Sequence, residues 1–184
     1  LLKKFKHIFM KNFKVVVVAL VMSIAAISCS SDDDNNNTSN NVMNIAGEEF
    51  DIAAAGLENY GENADGSYDW DVNLLGDGIT INSSTPVGQG AFIYLDLNTN
   101  SADGLVAGTY TYANERAPFT WVFADACASF NTSNFSCASG SYNASAGTVV
   151  ISGSGNNTTI EVNLTDTSGA SITASYTGGF SSID

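Results

Sequence analysis

The side chains best suited to chemistry in this chain are carboxylates and amides placed two residues apart. Asp96, Asn98 and Asn100 occupy the first, third and fifth positions of a calcium-binding loop. The sixth position is Ser101 rather than glycine, however, and the twelfth is Ala107 rather than glutamate. The sequence therefore favours a polar hairpin loop with Asx turns, and a calcium ion at Asp96, Asn98 and Asn100 is the alternative. No other cofactor is predicted.

A second group of acids, Asp65, Asp69 and Asp71, offers another set of oxygen atoms. Asp69 and Asp71 share one face of a predicted strand, where such side chains are usually solvated. Paired carboxylates also raise the hypothesis of a glycoside hydrolase, which needs two acids across a cleft. Nineteen acids in one chain make chance pairs common, so such pairs give this hypothesis little support. Because the chain offers no residue arrangement that catalysis alone would require, we predict that the domain is not an enzyme.

Three aromatic residues, Trp70, Tyr94 and Trp121, are the candidate ligand-binding residues. Exposed on one face, they would form a platform on which a sugar ring stacks. Aromatic side chains at strand spacing are more often part of the core, because they favour strands and bury large areas. Both interpretations stay open at the level of the sequence.

The distribution of charge excludes several kinds of chemistry. Every lysine and the single histidine, His7, precede Cys29, so the chain from Cys29 onward carries one basic residue against nineteen acids, a formal charge of −18. Nucleic acid is excluded as a partner because phosphate binding relies on lysine and arginine. Without histidine or lysine there is no Ser-His nucleophile, imidazole metal ligand or Schiff base. The remaining base, Arg116, is predicted to form an exposed ion pair with Glu115 at a hairpin tip, or alternatively to hold a substrate carboxylate.

Residues 1–28 have the three parts of a secretory signal peptide. Lysines are followed by an apolar run over 15–27, which is too short to span a bilayer, and then by Ala26-Ile27-Ser28-Cys29. Met10 to Lys14 would alone make a complete positive region, so we interpret residues 1–9 as lying upstream of the true start, Met10. The four residues ending at Cys29 resemble a lipobox, which implies cleavage before Cys29 and its acylation. That lipid would attach the protein to a membrane.

Residues 29–41 form the predicted link between this lipid and a folded domain. Positions 30–41 hold no apolar side chain, so the segment is expected to be a disordered tether. The run Asp32-Asp33-Asp34 just behind the cysteine resembles the surface-export signals of Bacteroidota lipoproteins. The resemblance implies a location on the outer membrane, facing the cell exterior.

Cys127 and Cys137 are the two remaining cysteines. An even pair in an exported domain predicts a disulfide, which we expect to close a surface loop and to stabilise it by about 3 kcal/mol. A redox pair is the less favoured alternative, because the spacing is not C-x-x-C and no basic neighbour would activate the thiol.

Residues 42–184 show the period-two alternation of β-strands. We predict nine short strands, near 50–54, 68–74, 79–82, 92–95, 109–112, 119–123, 148–152, 159–164 and 172–177. They make a single antiparallel all-β domain, either a β-sandwich or a flattened lipocalin-like barrel, whose last three strands form a meander. The segment Ala53 to Tyr60 is the one helical candidate, weakened by Gly56.

Several stretches resemble the β-rich lipoproteins of unknown function that are common in Bacteroidota: Phe50-Asp51-Ile52, Glu58-Asn59-Tyr60-Gly61, Gly78-Ile79-Thr80, 93–97, 104–110, 162–166 and Tyr176-Thr177-Gly178. The resemblance brings no assigned activity or catalytic residues. We therefore predict a lipid-anchored, surface-exposed, non-enzymatic module that binds a glycan, a protein or a small apolar ligand. A carboxylate-dependent glycoside hydrolase and a calcium-stabilised adhesion domain are the alternatives.

Overall fold

The structure, a computed structural model, describes residues 41–184. The predicted signal peptide, Cys29 and the tether up to residue 40 lie outside the described residues. Within residues 41–184, no helix is long and apolar enough to cross a membrane.

Eleven strands make up the described part of the chain, and the single short 3-10 turn there is Gly155–Asn157. The strands are β1 (Val42–Ile45), β2 (Glu48–Glu62), β3 (Tyr68–Gly76), β4 (Ile79–Asn82), β5 (Thr85–Thr99), β6 (Gly108–Tyr112), β7 (Thr120–Asn131), β8 (Ser136–Ser152), β9 (Thr158–Asp166), β10 (Ser171–Gly178) and β11 (Ser181–Ser182). The predicted all-β class is confirmed.

The strands form one sheet whose pairings return to its first strand. β1 pairs antiparallel with β2 on one side and with β10 on the other, and the circuit between them runs through β3, β5, β7, β8 and β9. The circuit is irregular because β6 separates the start of β7 from the end of β8, whereas the other halves of β7 and β8 pair directly. The domain is thus a single sheet whose strands pair in a closed but irregular circuit. It is neither two separate sheets nor a regular barrel.

One hydrophobic core collects the inward-facing side chains of the long strands. Alternation is clearest in β9, where Ile160, Val162 and Leu164 are buried and the intervening residues are not. Trp121 and Tyr110 are the largest fully buried side chains and belong to this core. The predicted C-terminal meander is confirmed, since β8, β9 and β10 pair antiparallel in order.

Two local predictions differ from the structure. The helical candidate from Ala53 to Tyr60 is part of β2, because it pairs along its length with β3 and alternation sends Ala55 into the core. β5, β7 and β8 are also much longer than predicted, at 15, 12 and 17 residues. Their extensions are rich in polar residues, which periodicity alone assigns to loops.

The side of β2, β3, β5 and β7 that faces away from the core is called the outer face below. Cross-strand partners on this face include Asp71 with Asp96, and Tyr94 with both Asn73 and Asp125. Most of the residues of β3 and β5 on this face are buried or half-buried, although they lie outside the core. The strands therefore present a second, largely covered surface that is rich in acids and aromatic rings.

Candidate functional site

An acidic cluster of Asp69, Asp71 and Asp96 lies on the outer face of β3 and β5. Each carboxylate contributes one oxygen to a group of atoms that lie within 4.8 Å of one another. All three residues are buried, so the repulsion between them is poorly screened by water. Such an arrangement needs compensating positive charge or bound protons.

Arg116 supplies the positive charge from the loop between β6 and β7. Its Nη1 and Nη2 donate to the two carboxylate oxygens of Asp96 at 2.8 and 2.7 Å, and Nη1 also lies 2.6 Å from Asp69 Oδ2. The loop is held against the end of β5 because the Phe119 amide donates to the Asn98 carbonyl at 2.7 Å. The guanidinium therefore bridges two adjacent strands over the cluster.

The negative charge of Asp71 is stabilised differently, because the ion pairs of Arg116 are with Asp69 and Asp96. The hydroxyl of Tyr94 donates a hydrogen bond to Asp71 Oδ2. Burial raises the pKa of Asp71 to about 7, and the hydrogen bond from Tyr94 only partly opposes this effect. Burial likewise raises the pKa of Asp96, against the lowering effect of Arg116. The cluster thus holds one carboxyl group that titrates near neutral pH.

The cluster fits a guanidinium better than a metal ion. Arg116 occupies both oxygens of Asp96 and one oxygen of Asp69, which are the atoms a cation would need. The second oxygen of Asp69 is buried and has no hydrogen-bond partner. A metal would have to displace a bidentate ion pair of favourable geometry, so we describe this cluster as a charged structural centre.

Next to the cluster the outer face opens into a pocket of about 360 Å³, within the range of roughly 300–1,000 Å³ that is common for small-molecule sites. This space is called the aromatic pocket below. Its walls are Phe92, Tyr94, Phe123, Phe130 and Phe135, its other apolar contacts are Leu75, Pro86 and Ile183, and its polar residues are Glu58, Asn73, Thr85, Asp125, Thr132 and Asp184. Tyr94 belongs to both sites, because its ring lines the pocket and its hydroxyl binds Asp71.

The rings of the aromatic pocket are arranged in contacting pairs. Phe92 and Phe130 stack with centroids 4.7 Å apart and an interplanar angle of 18°. Tyr94 and Phe123 meet edge to face with centroids 5.8 Å apart. These spacings are typical of favourable aromatic contacts, so the rings support one another around the open space.

The hairpin between β7 and β8 carries one side of the pocket. Cys127 and Cys137 are joined by a disulfide, with Cα atoms 5.9 Å apart, which confirms the predicted pairing. The sequence predicted that this bridge closes a surface loop. In the structure the bridge instead joins two paired strands, β7 and β8. Beyond it, Phe135 is 82% exposed and has φ of 50°, a left-handed conformation that a bulky residue adopts at a cost. The chain therefore places an exposed ring at the pocket rim against its own conformational preference.

The residues of the alternative calcium loop, Asp96, Asn98 and Asn100, do not form a loop together. Asp96 and Asn98 lie in β5 with their side chains buried on the outer face, and Asn100 is exposed beyond the strand end. In a strand, residues two apart point to the same face, so spacing that resembles a cation loop instead makes a row of oxygens. Asp96 and Asn98 both accept hydrogen bonds from Arg116. The favoured interpretation, a polar hairpin loop beginning at Asp96, is wrong for the same reason, because β5 continues to Thr99.

Three further predictions need correction. Trp70 and Trp121 are buried, with 9% and 0% exposure, so neither forms an exposed platform for a sugar; of the candidate ligand-binding residues, Tyr94 lines the pocket. Asp69 and Asp71 are buried rather than solvated. Arg116 turns back onto the sheet instead of forming an exposed pair with Glu115.

Several pocket residues were missed in the sequence. Phe123 and Asp125 alternate with buried Ala124 and Ala126 along β7, so the signal was present as a second face with the same period of two. That alternation shows which residues share a face, but it does not show that the outer face of β7 lies beside that of β5. The pairing between these strands is a long-range contact, and it is what assembles the pocket.

Comparisons with protein-family models, with curated proteins and with solved structures found no match to this chain.

Proposed function

We propose that residues 42–184 are the binding module of a lipid-anchored surface lipoprotein, and that the module holds a small, partly apolar ligand in the aromatic pocket without chemical turnover. The observation that carries this proposal is the pocket itself: about 360 Å³ of space walled by five aromatic side chains. The volume suits a compact ligand, and the walls offer flat apolar surfaces on which it can stack.

The exposure of the pocket rings supports a ligand rather than simple packing. Phe123 and Phe135 are among the few large apolar side chains in the described residues that face solvent, and both line this pocket. A folded domain gains nothing from exposing such rings, since burial of a large aromatic side chain stabilises by roughly 1.5–3 kcal/mol. A ligand that covers them recovers that free energy in the complex.

The proposed location rests on the sequence before the domain. The resemblance of residues 26–29 to a lipobox and of 32–34 to an export signal supports a lipid anchor and display on the outer membrane. The formal charge of −18 after Cys29 fits a domain that stays away from anionic surfaces and presents its pocket to solutes.

A neutral fluorescent probe tests the pocket. N-phenyl-1-naphthylamine should bind saturably at one site, with increased emission because the probe leaves water. Phe123→Ala should weaken this binding about tenfold, since it removes a pocket ring, whereas Tyr112→Ala should leave it unchanged. The two rings are matched in exposure, at 45% and 43%, and Tyr112 lies outside the pocket. Equal binding by both variants, or no saturable binding to the unaltered protein, would refute the proposal.

A further inference from the structure

The ligand class of the aromatic pocket is indicated by one atom, the Oδ1 of Asp125. This carboxylate oxygen is buried and has no hydrogen-bond partner among residues 41–184. Asp125 lies on β7 directly across from Tyr94 of β5, and its side chain lines the pocket. A buried acceptor left without a donor is unfavourable, and more so when the group is charged. A donor brought by a ligand would remove that cost.

The charge of the pocket is not balanced by the protein. Glu58, Asp125 and Asp184 all line it, and no basic side chain does. Arg116 is the only basic residue among residues 41–184, and it is already bound to Asp69 and Asp96. Burial raises the pKa of Asp125, and no cation or hydrogen-bond donor within the described fold opposes this effect.

The aromatic walls of the pocket also favour a positively charged ligand. The face of an aromatic ring carries negative electrostatic potential and attracts ammonium groups within about 6 Å. Phe92, Tyr94, Phe123, Phe130 and Phe135 all line the pocket, so aromatic rings make up most of its apolar lining. An anionic ligand would meet like charge at the three acids, whereas a cation gains from the rings and the carboxylates together.

From these observations we infer that the aromatic pocket binds a small organic cation, an ammonium group joined to an apolar or aromatic body. The ammonium donates to Asp125, and the body stacks among Phe92, Phe123 and Phe130. This inference rests on the proposed function and adds the charge and shape of the ligand to it.

Three probes that share an indole ring and a two-carbon arm test the inference: tryptamine, a cation; tryptophol, which is neutral; and indole-3-propionate, an anion. Calorimetric titration of the protein at neutral pH should show that tryptamine binds about tenfold more tightly than tryptophol, as expected for a charge-assisted hydrogen bond. Indole-3-propionate should bind most weakly. Asp125→Asn should remove the preference for tryptamine and leave the affinity for tryptophol nearly unchanged.

Asp103→Asn is the matched control, because Asp103 is exposed in a turn and does not line the pocket. It removes one negative charge from the domain and should preserve the preference for tryptamine, which separates a site from general attraction to an acidic protein. Equal affinity for the three probes, or a preference that survives Asp125→Asn, would overturn the cation assignment while leaving the pocket as a binding site. Absence of binding by all three at millimolar concentration would count against both proposals.

Discussion

Arg116 and Asp96 form a two-pronged ion pair across 20 residues of sequence, with both terminal nitrogens of the guanidinium bound to both oxygens of the carboxylate. Because Arg116 also contacts Asp69, this pair joins β3 and β5 to the loop that precedes β7. Three carboxylates on one face can therefore be buried together, and the aromatic pocket is built directly beside them.

Arg116→Ala should destabilise the domain by about 3 kcal/mol, because it leaves Asp69 and Asp96 buried and uncompensated. We place the loss at the low end of the range for buried pairs because the Arg116 side chain is 35% exposed. Urea denaturation measures the change. Glu115→Ala, at the exposed neighbouring position, should change stability by less than about 0.5 kcal/mol.

A second substitution checks the cause of that loss. Adding Asp96→Asn to Arg116→Ala removes one of the uncompensated charges and should restore part of the stability. If the loss of unfolding free energy in the double variant equals the sum of the losses in the two single variants, the ion pair is not the reason for the loss.

Asp71→Asn should change how stability depends on pH. The pKa of Asp71 is raised from 3.8 to about 7 in the folded protein, so between these values the folded state binds a proton that the unfolded state releases. The stabilisation from this group is therefore complete below about pH 4 and is lost as pH rises through 7. Asparagine stays neutral and still accepts from the Tyr94 hydroxyl.

The variant should accordingly be more stable than the unaltered protein at about pH 8, by up to about 4 kcal/mol, and the gap should narrow steadily as pH falls below 7 and close by about pH 4. Denaturation curves at several pH values measure the difference. Asp103→Asn controls for the loss of one surface charge. Parallel pH profiles for Asp71→Asn and the unaltered protein would contradict the assignment.

Replacing Cys127 and Cys137 together with serine should lower stability by about 3 kcal/mol, because the unfolded chain is no longer cross-linked. It should also weaken binding of N-phenyl-1-naphthylamine, since Phe130 and Phe135 lie on the hairpin that the bridge closes. Treatment of the unaltered protein with dithiothreitol should reproduce both effects. Unchanged probe binding would show that the strands alone hold these rings in place.

Cys29→Ala should abolish labelling by a fatty-acid analogue and release the protein from membranes, because the proposed lipid is its attachment. Replacing Asp32, Asp33 and Asp34 with asparagine should leave labelling intact but protect the domain from protease added to whole cells. Persistent labelling of the alanine variant would refute the anchor, and unchanged protease sensitivity of the asparagine variant would refute the export signal.

The strands were predictable from sequence where one face is apolar and the other polar, as in β9 and β10. Prediction failed at 96–99, where alternating polar residues end a long strand. Local pattern assigns Asp96 and Asn98 to a loop, because burial of these side chains depends on Arg116 arriving from far along the chain. The pocket was missed for a related reason: Tyr94 and Asp125 become neighbours only through the pairing of β5 with β7. The disulfide was predictable because only two cysteines follow Cys29.

β1 has only four residues, yet it forms hydrogen bonds with strands on both sides. Just before it, Asn41 adds side-chain bonds to the backbone of Thr177 in β10. Tension applied to the chain at residue 41 is therefore divided at once between β2 and β10, the second strand of the domain and nearly its last. To pull β1 free, a force must break two rows of hydrogen bonds together instead of peeling one row from an open edge. The way the sheet closes thus makes the point where the chain enters the domain a mechanical clamp.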